Sequence, residues 1–241
     1  MRDEDDIIGK ELMQLLDEHK KIIEQKRSPV VIIFSGYLNT AKTTTAINCA
    51  RYVQKDFDMK TQLGAGLDQF LEAWENTVAI KSESTVKVCI YDEFNEYTST
   101  GGNHTKKKLV NSIIDTMKHT QCMIFLVGPS FWRLHKHLWE VGVVRATVVM
   151  REVQKNNAYY AIYDNRETLR IVGDIEKATN TKDIGYAMYI AYKKWLKKGF
   201  PIFGAAKIPP ADLMGDIDSM SDISKTRMQS KAIGDFRLTK P

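Results

Sequence analysis

Two short stretches of this chain hold residue types at spacings that could handle phosphate chemistry. The first runs Gly36-Tyr-Leu-Asn-Thr-Ala41-Lys42-Thr43-Thr44. It matches the phosphate-cradling loop pattern at every fixed position except Ala41, where the pattern has glycine. In such a loop, backbone N–H groups from Gly36, Asn39, Thr40, Ala41, Lys42, Thr43 and Thr44 wrap phosphate oxygens, and the positive end of the following helix adds to the attraction. Lys42 would reach the β- and γ-phosphates of ATP, and the Thr43 hydroxyl would ligate Mg²⁺. A Cβ at position 41 is expected to keep the backbone out of the left-handed region, which costs roughly 1–2 kcal/mol for a non-glycine residue. A differently shaped loop or weaker nucleotide binding would follow.

The second stretch is Asp92-Glu93, at the end of the apolar run Val86-Lys-Val-Cys-Ile-Tyr91. Asp92 is placed to hold Mg²⁺, usually through its waters. Glu93 is placed to orient and deprotonate an attacking water. One carboxylate for metal and one for water suit a hydrolase, so Glu93 and Lys42 are the catalytic candidates and Thr43 and Asp92 the metal ligands. An ordinary helix start at 41–43 and an acidic turn closing a strand are the plain structural alternatives.

The elements that must position these groups are legible in the hydrophobic pattern. Val30-Val-Ile-Ile-Phe34, Val86–Tyr91 and Cys122-Met-Ile-Phe-Leu-Val127 read as strands buried on both faces, as in a parallel sheet. Helices are expected over residues 7–25, 42–54, 67–75, 107–118, 131–141 and 186–198. Strand-like segments at 143–151 and 158–163 flank Lys155-Asn156-Asn157, which suggests a hairpin. Strand–helix alternation implies an α/β sandwich around a mostly parallel sheet, with ligands beyond the carboxyl ends of the strands.

At 241 residues the chain has room for one α/β domain with a small appendage. No apolar run reaches the roughly 20 residues of a membrane-spanning helix, so membrane insertion is not expected. The acidic N-terminus lacks the basic and apolar regions of a secretory signal, and a cytoplasmic, reducing setting is the expectation. Cys49, Cys89 and Cys122, each in apolar surroundings, read as buried thiols. The formal charge is +5, and residues 186–241 carry ten Lys/Arg against five Asp. That basic end suits phosphate contact or simply a solvated surface.

A phosphate loop, an Asp-Glu strand and a further strand with a polar end together resemble the additional-strand, catalytic-glutamate branch of P-loop ATPases. Within that branch the chain is most similar to the FtsK/HerA group, which includes genome-packaging ATPases and Zot-like proteins. The resemblance spans roughly residues 28–165 and includes the segment Phe131–Leu138 followed by further strands. It implies a P-loop NTPase three-layer sandwich with an N-terminal helix (1–28), an ATPase domain (29–198) and a C-terminal extended arm (199–241). It also implies an ATP- and Mg²⁺-dependent motor working as a homo-oligomeric ring on double-stranded DNA. In such enzymes the third strand commonly ends in a Thr-Gln sensor; here it ends in Gly128-Pro129-Ser130, making Ser130 the candidate sensor, or else the cap of the next helix. Arg133, Arg145 and Arg151 are candidates for an arginine finger. Gly101 to Lys108, with three lysines, is the candidate DNA-facing loop.

Lys42-Thr-Thr-Thr-Ala-Ile-Asn48 also resembles ParA-type partition ATPases. Those carry an early loop lysine where this chain has Tyr37 and Leu38, and lack a glutamate after the aspartate. An AAA+-like ATPase of DNA replication would need a helical lid where residues 143–165 read as strands. A small-molecule kinase would need a lid or acceptor-binding motif. A non-catalytic nucleotide-binding scaffold is the reading that Ala41 favours.

Overall fold

The computed structural model describes residues 5–36, 39–94, 104–129, 131, 134, 136–178 and 202–208. Its centre is a seven-stranded sheet in the order β2-β3-β4-β1-β5-β6-β7. The strands are β1 (Val30–Gly36), β2 (Leu63–Ala65), β3 (Lys87–Asp92), β4 (Cys122–Gly128), β5 (Val144–Gln154), β6 (Asn157–Asp164) and β7 (Ile202–Lys207). The first five are mutually parallel, while β6 and β7 run antiparallel to their neighbours.

The continuous apolar runs behave as expected of strands covered on both faces. Val31, Ile33, Cys89, Tyr91, Ile124 and Leu126 enter one buried cluster, with Phe70 and Trp74 of α5 (Leu67–Ala79) and Val110 and Ile114 of α6 (His104–Thr116). The alternate residues Val30, Ile32, Phe34, Val88, Ile90 and Phe125 enter the opposite cluster. That face is covered by α2 (Lys10–Lys26) and α3 (Lys42–Val53), with Ile8 of the short α1 (Asp5–Ile8). The result is a three-layer sandwich. The three cysteines are free and buried within it.

The N-terminal helix is part of this core, since Leu12, Leu16 and Ile23 are each 1% exposed or less. The expected hairpin is present, with Lys155 and Asn156 at φ 47° and 64°, the two positive values of a type I′ turn. Besides the three-residue β2, two longer elements lie outside the sequence expectation. Asn165–Ala178 forms a helix, α8, begun by Asp164, whose carboxylate accepts from the Glu167 backbone N–H at 2.7 Å. Ile202–Lys207, expected within an extended arm, instead pair with β6 as the edge strand. The helix expected at 131–141 is reduced to α7 (Lys136–Glu140) among the described residues. The helix expected at 186–198 lies outside them.

The α2 helix brings His19 against the sheet, 9% exposed, with no hydrogen-bond partner at either ring nitrogen. Burial and then the nearby Arg145 charge lower its pKa from the usual 6.5 to about 4. A histidine neutral in the fold but protonated when unfolded contributes stability above pH 6.5 that drains away as the pH falls toward 4. The shift corresponds to about 3 kcal/mol. Urea unfolding at pH 7.5 and pH 4.5 should therefore show His19→Leu closing most of that gap relative to wild type. Equal pH dependence in both proteins would show that His19 does not titrate in this way.

Candidate functional site

The carboxyl ends of β1, β3 and β4 meet at one edge of the sheet. β4 lies between β1 and β3, in register from Val30↔Met123 to Ser35↔Gly128 and from Lys87↔Cys122 to Asp92↔Val127. The inserted strand therefore separates the strand of the phosphate-type loop from the acidic strand. Ser35 and Pro129 fasten these ends together, the Ser35 hydroxyl donating to the Pro129 carbonyl at 3.1 Å.

Gly36 closes β1 at φ 150°, and a Cβ there would run into the Met150 carbonyl oxygen and lie 3.1 Å from Thr40 Oγ1. Only glycine lets the loop leave β1 this tightly. Asn39 is exposed with φ 59°, and Thr40 is buried. Tyr37 and Leu38 lie outside the described residues. Ala41 adopts φ 57°, ψ 31° as the N-cap of α3 and makes no side-chain cap. The expectation that alanine would hold the backbone away from this region is overturned: the loop enters the left-handed conformation despite the Cβ. The helix α3 thus starts with no side-chain cap from residue 41, and a helix N-terminus of this kind suits an anion. Ala41→Gly removes the steric penalty but gains freedom when unfolded, for a net stabilisation of about 1 kcal/mol. A chemical-denaturation midpoint that moves down instead would mean the methyl group, which packs on the core, contributes more than the strain costs.

Thr43 and Asp92 are brought into direct contact. The Thr43 hydroxyl donates to Asp92 Oδ2 at 3.0 Å, and the Glu93 backbone N–H donates to Asp92 Oδ1 at 3.0 Å. Asp92 is 7% exposed. Burial pushes its carboxyl up to about 6, the Glu93 charge adds to the rise, and the Thr43 and Glu93 hydrogen bonds and the Lys42 charge oppose it. Lys42 and Glu93 are half-buried beside it. Glu93 itself sits at φ 55°, a conformation that costs a non-glycine residue free energy and persists where the surroundings enforce it.

The donor set fits Mg²⁺. A hydroxyl and a carboxylate oxygen are hard ligands, and two of them leave the remaining octahedral positions to phosphate oxygens and water. Among the described residues there is no cluster of three or more His, Cys, Asp or Glu suited to an all-protein metal cage. A desolvated carboxyl with a raised pKa gains more than an exposed one from a cation at its oxygens.

The remaining candidates are scattered. Ser130 and Arg133 lie outside the described residues, as does Gly101 to Asn103 of the lysine loop. Arg145 sits at the start of β5, at the amino edge of the sheet opposite the loop, and its Nη2 donates to Ser28 Oγ at 2.7 Å. That tether lies at the opposite end of the strands from Thr43 and Asp92 of the same chain. Arg151 follows Met150, the partner of Gly36, and its guanidinium lies 5.2 Å from the centroid of the Phe203 ring.

Two supporting groups escaped the sequence reading. Gln54, at the end of α3, and Gln62, at the end of α4 (Met59–Gln62), exchange amide hydrogen bonds at 3.2 and 2.9 Å and are fully buried. Gln54 Oε1 also accepts from the Val88 N–H, and Gln62 Nε2 donates to the Val88 carbonyl, each at 2.9 Å. The pair thereby completes the β3 ladder before β2 begins and ties the helix of Lys42 to the strand of Asp92. Phe94 and Gly128 form the second group. Isolated glutamines carry no pattern, and the close approach of residues 94 and 128 is visible only once β3 and β4 are paired.

No family model matches the chain, and no curated protein sequence matches it. Solved structures similar to it include the N-terminal domain of zonular occludens toxin from Neisseria meningitidis, 12% identical over 57% of this chain and 84% of that one, with TM-score 0.37. The genome packaging NTPase B204 from Sulfolobus turreted icosahedral virus 2, in complex with ATP-gammaS, is 10% identical over 58% of this chain and 93% of that one, with TM-score 0.39. A DNA polymerase III gamma subunit-related protein from Thermotoga maritima is 14% identical over 75% of this chain and 57% of that one, with TM-score 0.42. The chain is a three-layer α/β fold in which an additional strand, β4, lies between the strand of the phosphate-type loop and the acidic strand.

Proposed function

We propose that the protein is an ATP-hydrolysing motor that moves double-stranded DNA as a homo-oligomeric ring. The observation that carries the ATPase reading is the Thr43–Asp92 hydrogen bond of 3.0 Å, which joins the loop after β1 to the end of β3 across 49 residues of sequence. It brings a phosphate-type loop, a lysine, a pair of hard oxygen ligands and a second carboxylate to one edge.

In this reading the loop N–H groups and Lys42 bind the β- and γ-phosphates of ATP. Thr43 and Asp92 would hold Mg²⁺, which supplies charge neutralisation at the phosphate oxygens. Glu93 orients the attacking water and takes its proton as the water oxygen bonds the γ-phosphorus and the bond to the ADP oxygen breaks. The DNA reading rests on the formal charge of +5 and on Lys106, Lys107 and Lys108 in the first turns of α6 beyond the acidic strand. No helix among the described residues is long and apolar enough to cross a membrane. An arginine finger toward this site would come from Arg133, Arg145 or Arg151 of a neighbouring copy.

The test is ATP turnover by purified protein with and without long double-stranded DNA. Stimulation by DNA, lost on replacing Lys106, Lys107 and Lys108 together with Ala, supports the motor. Turnover indifferent to DNA keeps the ATPase and removes the translocase. Nucleotide binding without turnover favours the scaffold reading.

A further inference from the structure

We propose that Phe94 is the positioning residue for Glu93, acting as a wedge across the carboxyl end of β4. The inference rests on the hydrolase reading above and concerns how this chain holds its water-activating carboxylate.

Glu93 lies between two residues that are each pinned. On one side Asp92 is 7% exposed and bonded to the Thr43 hydroxyl at 3.0 Å. On the other side Phe94 is 1% exposed and belongs to the buried cluster of Tyr91, Leu126 and Phe131. Its ring lies directly on the backbone of Gly128, the last residue of β4. A Cβ at Gly128 would stand 2.6 Å from Phe94 Cε1, 2.8 Å from Cζ and 2.9 Å from Cδ1. These are distances that real side chains do not tolerate, so a side chain at 128 and this ring position exclude one another.

That exclusion explains two departures together. Residue 128 is glycine because the ring occupies the space above it, so β4 ends without a side chain at that position. The left-handed turn at Glu93, φ 55°, is held because the chain must pass from the Thr43-bound carboxylate to the ring seated on β4 within two residues. Without the wedge, the turn relaxes to an unstrained conformation and the Glu93 carboxylate is re-aimed. Displacements of about 1 Å at a reacting group can cost on the order of a hundredfold in rate.

Phe94→Leu retains apolar bulk but loses the planar ring, and Gly128→Ala pushes the ring out. Both variants and their combination would be assayed for ATP turnover, for magnesium-dependent binding of a fluorescent ATP analogue and for thermal unfolding. Each single variant should lower kcat by roughly tenfold to a hundredfold while the dissociation constant stays within about twofold, since the loop and Lys42 are untouched. In the double variant the alanine methyl occupies space that the ring has left. Its melting temperature should therefore rise above that of Gly128→Ala alone while kcat stays low. Recovery of kcat together with stability would show that the ring is a packing element alone and overturn the proposal. So would loss of binding in parallel with kcat. Wild-type protein with no turnover would instead remove the hydrolase reading, and this proposal with it.

Discussion

Glu93→Gln should lower ATP turnover by about 10²–10⁴-fold, the usual contribution of a positioned general base. The substitution keeps the size and hydrogen-bonding reach of the side chain but removes its capacity to accept a proton. It leaves Asp92, Thr43 and Lys42 in place, so nucleotide should still bind with wild-type affinity or tighter. The Asp92 carboxyl would be relieved of a neighbouring negative charge, one of the influences that raises its pKa. Single-turnover hydrolysis measured beside equilibrium binding separates the two effects. A fall in affinity matching the fall in rate would mean that Glu93 holds the substrate rather than activating water.

The largest stability loss is expected from Gln62→Ala. Gln62 is fully buried and bonds through both atoms of its amide: to Gln54 twice, to the Val88 carbonyl, and from the Asp58 N–H at 3.1 Å. Truncation takes the Gln62 partner from the buried Gln54 Nε2 and from the buried Val88 carbonyl, at about 1–3 kcal/mol each, and from the part-buried Asp58 N–H. A total near 3–4 kcal/mol follows after partial relaxation, inside the range of severe single substitutions. Because the pair links the end of α3 to β3, the loss should loosen the Thr43–Asp92 contact as well. Urea unfolding should show the midpoint shift, and kcat should fall in protein that remains folded. A change below about 1 kcal/mol would mean that water replaces the lost partners.

The parts of the molecule legible in the sequence are those set by runs and fixed spacings. β1, β3 and β4 were readable because strands covered on both faces are apolar throughout, and the β5–β6 hairpin because its two strands meet at Lys155-Asn156. Position 41 was recognised as the departure from the loop pattern, yet its conformation was misjudged. The reading weighed the local cost of a Cβ in the left-handed region and not the surrounding loop, which imposes φ 57° on Ala41 regardless. Strand β2 is three residues long, too short for any period to register. Strand β7 owes its place to pairing with β6 and to the packing of α1 and α2 against it, neither of which is a local property. Helix α8 had a usable signal, Asp164 followed by Glu167 at the spacing of a capping box. The Arg145–Ser28 hydrogen bond joins residues 117 apart in sequence, and neither the type of Arg145 nor its place after β4 signals it.

The claim on which the account depends is that the loop after β1 and the end of β3 form one magnesium–nucleotide site. Titration calorimetry of ATP into the wild-type protein, with and without Mg²⁺, and into Lys42→Ala tests it most directly. The expected result is magnesium-dependent binding that Lys42→Ala weakens by about tenfold to a hundredfold, the worth of one hydrogen bond to a charged group. Wild-type protein that takes up no ATP, or binds it equally well without magnesium and without Lys42, would contradict the account.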